Sequence, residues 1–427
     1  MVKRIFALVV VLSGLSLQML AQCPGFNKAQ NDNLACQIVT TVRTPAGSSL
    51  QSLSPTLASQ LAQLPIASAV SGSGVLVFSG GVVPTVKGSE SLGTILTQRG
   101  ETVGRHKLFV SFNYQRFNFD KLDGEDLNAL PTVNQGANAT SDIYQVANVN
   151  LGIKVDQFTG LASFGLTNRI DVSVIVPFSH VTLFTQQANG GCSSPHKNGD
   201  ACTYFVVSGT PKTYAATAIS NPFPDGTTGT ATGIGDIIAN VKANVFKSSD
   251  EQTNIAIGGE VRFPTGDEFN YLGTGAYGVK PYIVVSRAGK RFSPNFNFGY
   301  QWNGTSALYQ DVNGTSQNLP STLLFSAGMD IAATKRLTFV GEYLGYYVID
   351  GPRIMRTTAA VPMSDTTSEN IPTIATTKEG YAMNNVGVGL KFSPIKHLLI
   401  SGNALIAVDT AGLRARVTPL VGVSYRF

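Results

Sequence analysis

Catalysis in this chain would be sought first at its four histidines, its four cysteines and its scattered carboxylates. A hydrolytic site needs a nucleophile with a base in hydrogen-bond reach, or paired carboxylates. His106, His180, His196 and His397 lie in no recognisable Ser or Asp constellation, and GSGV (72–75) is not a nucleophile elbow. The glycine-rich runs ATGIGD (231–236) and GTGAYG (273–278) lack the strand–loop–helix setting and the lysine of a phosphate cradle. Cys192, His196 and Cys202 offer zinc three ligands where a structural site takes four, so neither a metal nor a cofactor is expected. The cysteines instead form two local pairs, Cys23–Cys36 and Cys192–Cys202, read as disulfides of an exported chain.

The remaining polar chemistry is charge. PTGDE (264–268) is the most distinctive stretch. Pro264, Thr265 and Gly266 are turn residues, and Asp267 can cap the turn. In a functional reading this loop, with Asp267 and Glu268, folds inward above Glu260 and Arg262 to make a constriction. Opposed fixed charges across a narrow pore sort solutes by a transverse field. Lys242, Lys280, Asp330, Glu342 and Lys391 fall on the same expected face, either as part of that field or as a solvated wall.

The elements that hold these residues are legible from periodicity. Charged residues are only 13% of the 427, about half the usual share, while hydrophobic residues are an ordinary 43%. The net charge of +5 marks no nucleic-acid patch, and no nucleic-acid partner is expected. Lys3 and Arg4, then an apolar run from Ile5 to Leu12, then small residues, read as a signal peptide over residues 1–21. Gln22 before Cys23 argues against a lipid-modified cysteine.

From residue 106 apolar and polar residues alternate, which marks strands with two different environments. Leu108, Val110, Phe112 and Tyr114 oppose Ser111, Asn113 and Gln115. SPNFNFGYQW (293–302) sets Pro294, Phe296, Phe298, Tyr300 and Trp302 against Asn295, Asn297, Gly299 and Gln301. About twelve such strands are expected, with a phase slip near Gln157 read as a bulge or a loop edge. Short turns at 166–169, 247–252, 287–291, 333–336 and 393–396 alternate with long polar loops near 119–148, 180–230, 264–277, 303–320 and 350–380. Strands of about ten residues with such polar inner faces suit a closed barrel with lipid outside and water inside. No open strand edge survives in lipid. The fold class is therefore an all-β, transmembrane, antiparallel up-and-down β-barrel over 106–427. The terminal VTPLVGVSYRF closes it, with Tyr425 and Phe427 as an aromatic assembly signal and Leu420 alone out of phase.

Residues 22–105 form a separate mixed helix and hairpin segment. Leu50, Leu53, Leu57, Leu61 and Leu64 keep helical spacing, and GVLVFSGGVVPTV (74–86) suits a hairpin. This segment is expected to plug the lumen, to cover its periplasmic mouth or to hang as a tether; in the first two cases Gln98, Arg99 and Glu101 are expected to meet the charged lumen wall.

FGLTNRIDVSVIVPF, GIGDIIANVKANVF, VRFPTGDEFNYLGTGAYGVKPYIVVSR and GLRARVTPLVGVSYRF resemble the "MetA-pathway of phenol degradation" family of outer-membrane proteins over roughly residues 145–427. Asn168 departs from the Asp usual in that turn. The resemblance implies passage of small, hydrophobic or aromatic solutes through the bacterial outer membrane. The expected partners are outer-membrane lipid, the barrel-assembly machinery and a small-molecule solute. The alternatives are an ungated diffusion porin, a structural or adhesive barrel, and an outer-membrane enzyme.

Overall fold

The computed structural model describes residues 33–35, 37, 56–57, 60–61, 91–137, 141–189, 201–207, 211–219, 226–310, 315–395 and 397–426. Twelve antiparallel strands make the wall. They are β1 (Leu108–Leu122), β2 (Ser141–Gly165), β3 (Ile170–Asn189), β4 (Ile237–Lys247), β5 (Thr253–Phe263) and β6 (Gly278–Arg287). β7 (Phe292–Asn303), β8 (Thr322–Thr334), β9 (Leu337–Pro362), β10 (Ser368–Phe392), β11 (Leu398–Ala407) and β12 (Val417–Arg426) complete it. Each pairs with its neighbour in sequence, and β12 returns to β1 from Phe109↔Arg426 to Gln115↔Leu420. β4 is extended by the strand Thr227–Ile234. The two pieces share β3 and part at Gly235–Asp236, where Gly235 N–H donates to the Pro177 carbonyl at 2.8 Å.

The wall outlasts the bilayer. β9 and β10 run 26 and 25 residues and stay paired out to Pro362↔Ser368, so most of 350–380 is a strand extension rather than a loop. β2 likewise runs 25 residues without interruption, with continuous register from Leu108↔Phe164 to Phe119↔Ile153. Neither a bulge nor a loop edge occurs at Gln157. What changes there is the chemistry of each face. Below, Phe158 and Phe164 face out, while Gln157, Thr159 and Ser163 face in. Above, Val149, Leu151, Ile153 and Val155 are buried inside, while Lys154 faces out.

The same inversion occurs on β1 after Gln115, where Phe117 and Phe119 turn inward and Arg116 and Asn118 outward. On β3, Ile170, Val174 and Phe178 face out, but from Val181 and Leu183 onward the apolar side is inside. The cause is the change of solvent. In lipid the apolar face must be outside; above the lipid the outer face meets water and the apolar face is buried, as in a soluble protein. His180 consequently stands on the outer face of β3, with its Nδ1 2.6 Å from the Thr232 hydroxyl, and not in a loop.

The upper apolar interior is filled in part by the N-terminal segment. Leu34, Ala35 and Leu57 are buried in one cluster with Phe117, Leu151, Val181 and Leu183, and Leu61 packs against it. Gln37 Nε2 donates to the Leu183 and Thr227 carbonyls, and Gln60 Nε2 to that of Pro352. These residues sit inside the barrel at the long-loop end, opposite the periplasmic mouth, one of the places expected for the segment. Cys23, Cys36, Cys192, His196, Phe427, the 74–86 stretch and the side chains of Cys202 and Arg426 lie outside the described residues.

The inversion sets a pair of mutational outcomes. Val421 is 56% exposed on the lipid face. Val421→Arg should lower unfolding stability in lipid vesicles by ~2–4 kcal/mol. Asn118→Arg, on the same outer surface but above the band, should change it by less than ~0.5 kcal/mol. Urea titrations in vesicles measure both. Equal costs would mean that the band is misplaced.

Candidate functional site

Residues 91–104 run through the lower barrel, and all but Gly104 are buried. The segment forms no strand, so its backbone polar groups must find side-chain partners, since unpaired buried groups are costly. The wall supplies them. Glu342 Oε1, on β9, accepts from the backbone N–H groups of Ile95, Leu96 and Thr97 at 3.1, 2.7 and 2.7 Å, and from Thr97 Oγ1 at 2.9 Å. Three successive N–H groups aimed at one anion make a backbone nest. Asn403 Nδ2 donates to the other Glu342 oxygen. Asn297 on β7 pairs reciprocally with Gln98, accepting from its N–H at 2.6 Å and donating to its carbonyl at 2.8 Å.

The next residues are held by β8, β6, β4 and β3. Gly100 N–H donates to Ser286 Oγ at 3.0 Å, and Asn244 Nδ2 donates to the Gly100 carbonyl at 2.8 Å. A Cβ at Gly100 would come 2.8 Å from the Asn254 carbonyl oxygen, so only glycine lets the backbone approach the wall this closely. Lys242 Nζ donates to the carbonyls of Glu101 and Arg99 at 2.6 and 3.2 Å. Val103 N–H donates to Asp171 Oδ2 at 2.8 Å. Arg99 pairs with Glu101 at 2.9 Å and with Asp330 at 3.5 Å, and Ser91 Oγ donates to Asp330. Burial pushes the Glu101 carboxyl up, but the Arg99 guanidinium beside it and their hydrogen bond hold it below the ordinary carboxylate value.

Above Leu96 and Gln98 the lumen opens into a cavity of about 170 Å³. Ile175, Ile238, Leu324, Leu344, Tyr282 and Tyr346 supply its apolar walls. Glu260, Lys280, Arg262, Asn297, Gln301 and Asn303 supply its polar side. Glu260 and Lys280 face each other across β5 and β6 and pair at 2.5 Å. Arg262 Nη2 donates to Asn303 Oδ1 at 2.7 Å, and its Nε lies 3.7 Å from Asp236.

The structure thus divides the charges singled out by sequence into three groups. Glu260, Arg262 and Lys280 line the cavity. Lys242, Asp330 and Glu342 bind the buried segment, and Lys391, fully buried on β10, lies on the same inner face. Asp267 and Glu268 belong to neither group. Asp267 caps the short 3-10 turn Glu268–Asn270, accepting from Phe269 and Asn270. The PTGDE loop is pinned by Asp236, which accepts from Gly266 N–H and from the N–H and hydroxyl of Thr274. Tyr425 is 39% exposed on the lipid face.

Sequence reasoning missed Leu96, Tyr282 and Tyr346. Besides Gly100, one signal pointed to the buried segment: Leu420, the residue out of phase in the last strand. It is buried inside the barrel with Ile95, Leu96, Val340, Leu344 and Leu405. Among the described residues no group of three His, Cys, Asp or Glu side chains is placed to hold a metal ion.

A model of the family described as "Putative MetA-pathway of phenol degradation" matches residues 131–354. No curated protein matches the chain. Among solved structures, an outer membrane channel from Pseudomonas putida F1 is 10% identical, over 77% of this chain and 98% of that one, with a TM-score of 0.44. The Ralstonia pickettii toluene transporter TbuX is 9% identical, over 84% and 99%, with a TM-score of 0.35. The P. putida toluene transporter TodX is 10% identical, over 75% and 90%, with a TM-score of 0.34.

Glu342 should control how tightly residues 95–97 are held. Glu342→Gln keeps the shape but removes the charge that strengthens four hydrogen bonds. Amide hydrogen exchange at Ile95, Leu96 and Thr97 should accelerate at least ~10-fold, the equivalent of ~1.4 kcal/mol. Exchange in the β9–β10 ladder should not change. Unchanged exchange at the three amides would remove Glu342 as the anchor.

Proposed function

The chain belongs to the family described as "Putative MetA-pathway of phenol degradation", and on that premise we propose that it is an outer-membrane channel for small hydrophobic solutes, single-ring aromatics among them, closed by its own N-terminal segment. The cavity above Leu96 and Gln98 carries the reading. Its volume of about 170 Å³ is close to that of a cavity known to hold one benzene molecule, ~150 Å³. The walls are apolar on one side, and the Glu260–Lys280 pair offers a hydrogen-bonding group for a ring hydroxyl on the other. A solute seated there rests on the buried segment, so passage to the short-turn end requires residues 91–104 to move.

In this reading residues 1–21 are the leader, 22–105 the gating segment and 106–427 the barrel. Twelve strands leave a lumen narrower than the open channel of sixteen. An ungated diffusion porin, the second reading, would need that lumen clear, whereas the polar wall is spent on fourteen residues of the chain itself, 91–104. The chain is assigned no catalytic step. Its work is selection by cavity shape and by the cost of unseating the segment.

Two variants test the proposal in proteoliposomes and planar bilayers. Deleting residues 33–103, with the leader and the barrel kept, should leave a heat-modifiable barrel whose ion conductance rises several-fold over the intact chain. Ser326→Trp, which fills the cavity from β8, should slow phenol uptake without raising conductance. A folded deletion variant with unchanged conductance contradicts the gate. Unchanged phenol uptake in Ser326→Trp contradicts the cavity as the solute's path.

A further inference from the structure

The two ends of the barrel differ in charge. At the long-loop end cations meet carboxylates: Arg116 with Asp156, Arg353 with Asp123, Arg356 with Glu125, and Arg414 with Asp409. At the short-turn end one such pair occurs among the described residues, Lys247 with Glu251 at 3.2 Å, and the other turns carry cations without it. Arg169 lies in the β2–β3 turn, Lys290 and Arg291 in the β6–β7 turn, and Lys335 and Arg336 in the β8–β9 turn, all exposed. Among the described residues none of these five meets a carboxylate within 4.0 Å. Arg105 and Lys107 add two more exposed cations where the chain joins β1. The only carboxylates in these described turns are Asp250 and Glu251, beside Lys247 in the β4–β5 turn.

Their position relative to the apolar band identifies what they meet. Arg169 precedes Ile170, Arg291 precedes Phe292, and Lys335 and Arg336 lie between Ile331 and Phe339. All four apolar residues are exposed on the lipid face. The cations therefore stand at the lower rim of the band, at head-group depth, and recur around the barrel from β1 to β9. A protein partner would be matched by one patch. A ring that follows the perimeter is matched by the lipid annulus.

We propose that this ring binds the phosphate head groups of anionic phospholipids in the leaflet at the short-turn end. Long basic side chains suit the role, because their stems lie along apolar surface while the charged head reaches the interface. Each Lys or Arg near an anionic surface adds roughly fivefold to its attraction, an effect that falls off within a Debye length.

Electron spin resonance of the intact chain in phosphatidylcholine bilayers tests this, with either spin-labelled phosphatidylglycerol or spin-labelled phosphatidylcholine as the probe. The immobilised fraction should be clearly larger for phosphatidylglycerol, and high salt should erase most of the difference. The variant Lys290→Glu, Arg291→Glu, Lys335→Glu, Arg336→Glu should lose the preference while staying heat-modifiable. The wild-type comparison and its salt dependence stand even if that variant fails to fold. Equal immobilisation of the two probes by the intact chain overturns the proposal. So does a preference that survives both high salt and the fourfold variant. Equal immobilisation together with cross-linking of the ring to an acidic periplasmic protein would assign it to that protein instead.

Discussion

Every feature of this barrel follows from one constraint: its strands cross from one solvent into another without ending. In lipid each backbone group must be paired within the wall, and the apolar side chains must point outward. Beyond the lipid the ladder can continue, but the apolar side must then turn inward. β1, β2 and β3 all make that exchange of faces at a similar height while keeping their register. The result is two interiors stacked in one tube, an apolar one above and a mixed one below, where polar wall groups surround small apolar clusters about Leu96 and Val103.

The N-terminal segment matches both. Leu34, Ala35 and Leu57 lie in the apolar upper interior, where their burial is favourable and no polar wall group is displaced. Residues 91–104 lie in the mixed lower interior, where Glu342, Asn297, Ser286, Asn244, Lys242 and Asp171 bind their backbone groups directly. A ladder would fix a segment in one register through its own backbone. Side-chain partners hold it through a set of separate contacts, each of which water can replace in a hydrated lumen. Such a segment can be well ordered and still displaceable, which a gate requires.

The sequence made the lower barrel legible because one periodicity runs through it. All twelve strands and the five short turns could be located by alternation, and so could the inward facing of Glu260, Lys242, Asp330, Glu342 and Lys391. The upper barrel was harder to read because the rule reverses. Val149 to Val155 look like a phase slip if apolar is assumed to mean outward, and residues 350–380 look like a loop because their outer face is polar. The site was legible only in part. The charges could be placed on a face, and Gln98, Arg99 and Glu101 could be expected to meet them, but the individual partners could not be assigned, since residues 91–104 form a segment with no period of its own. Its glycine at position 100 and the out-of-phase Leu420 are the marks it leaves on the sequence. Nothing local to residues 56–61 indicates which end of the barrel their leucines occupy.

The central claim is that the buried segment must move for solute to pass. Its far end, Gly104, is joined to the wall through β1. Its near end, Ser91, has its hydroxyl hydrogen-bonded to Asp330. Ser91→Cys with Asp330→Cys, in a background without the four native cysteines, would tie down both ends. Phenol uptake into proteoliposomes should fall to the protein-free rate when the pair is oxidised and recover on reduction. Uptake that is the same in the oxidised and reduced states would contradict the account.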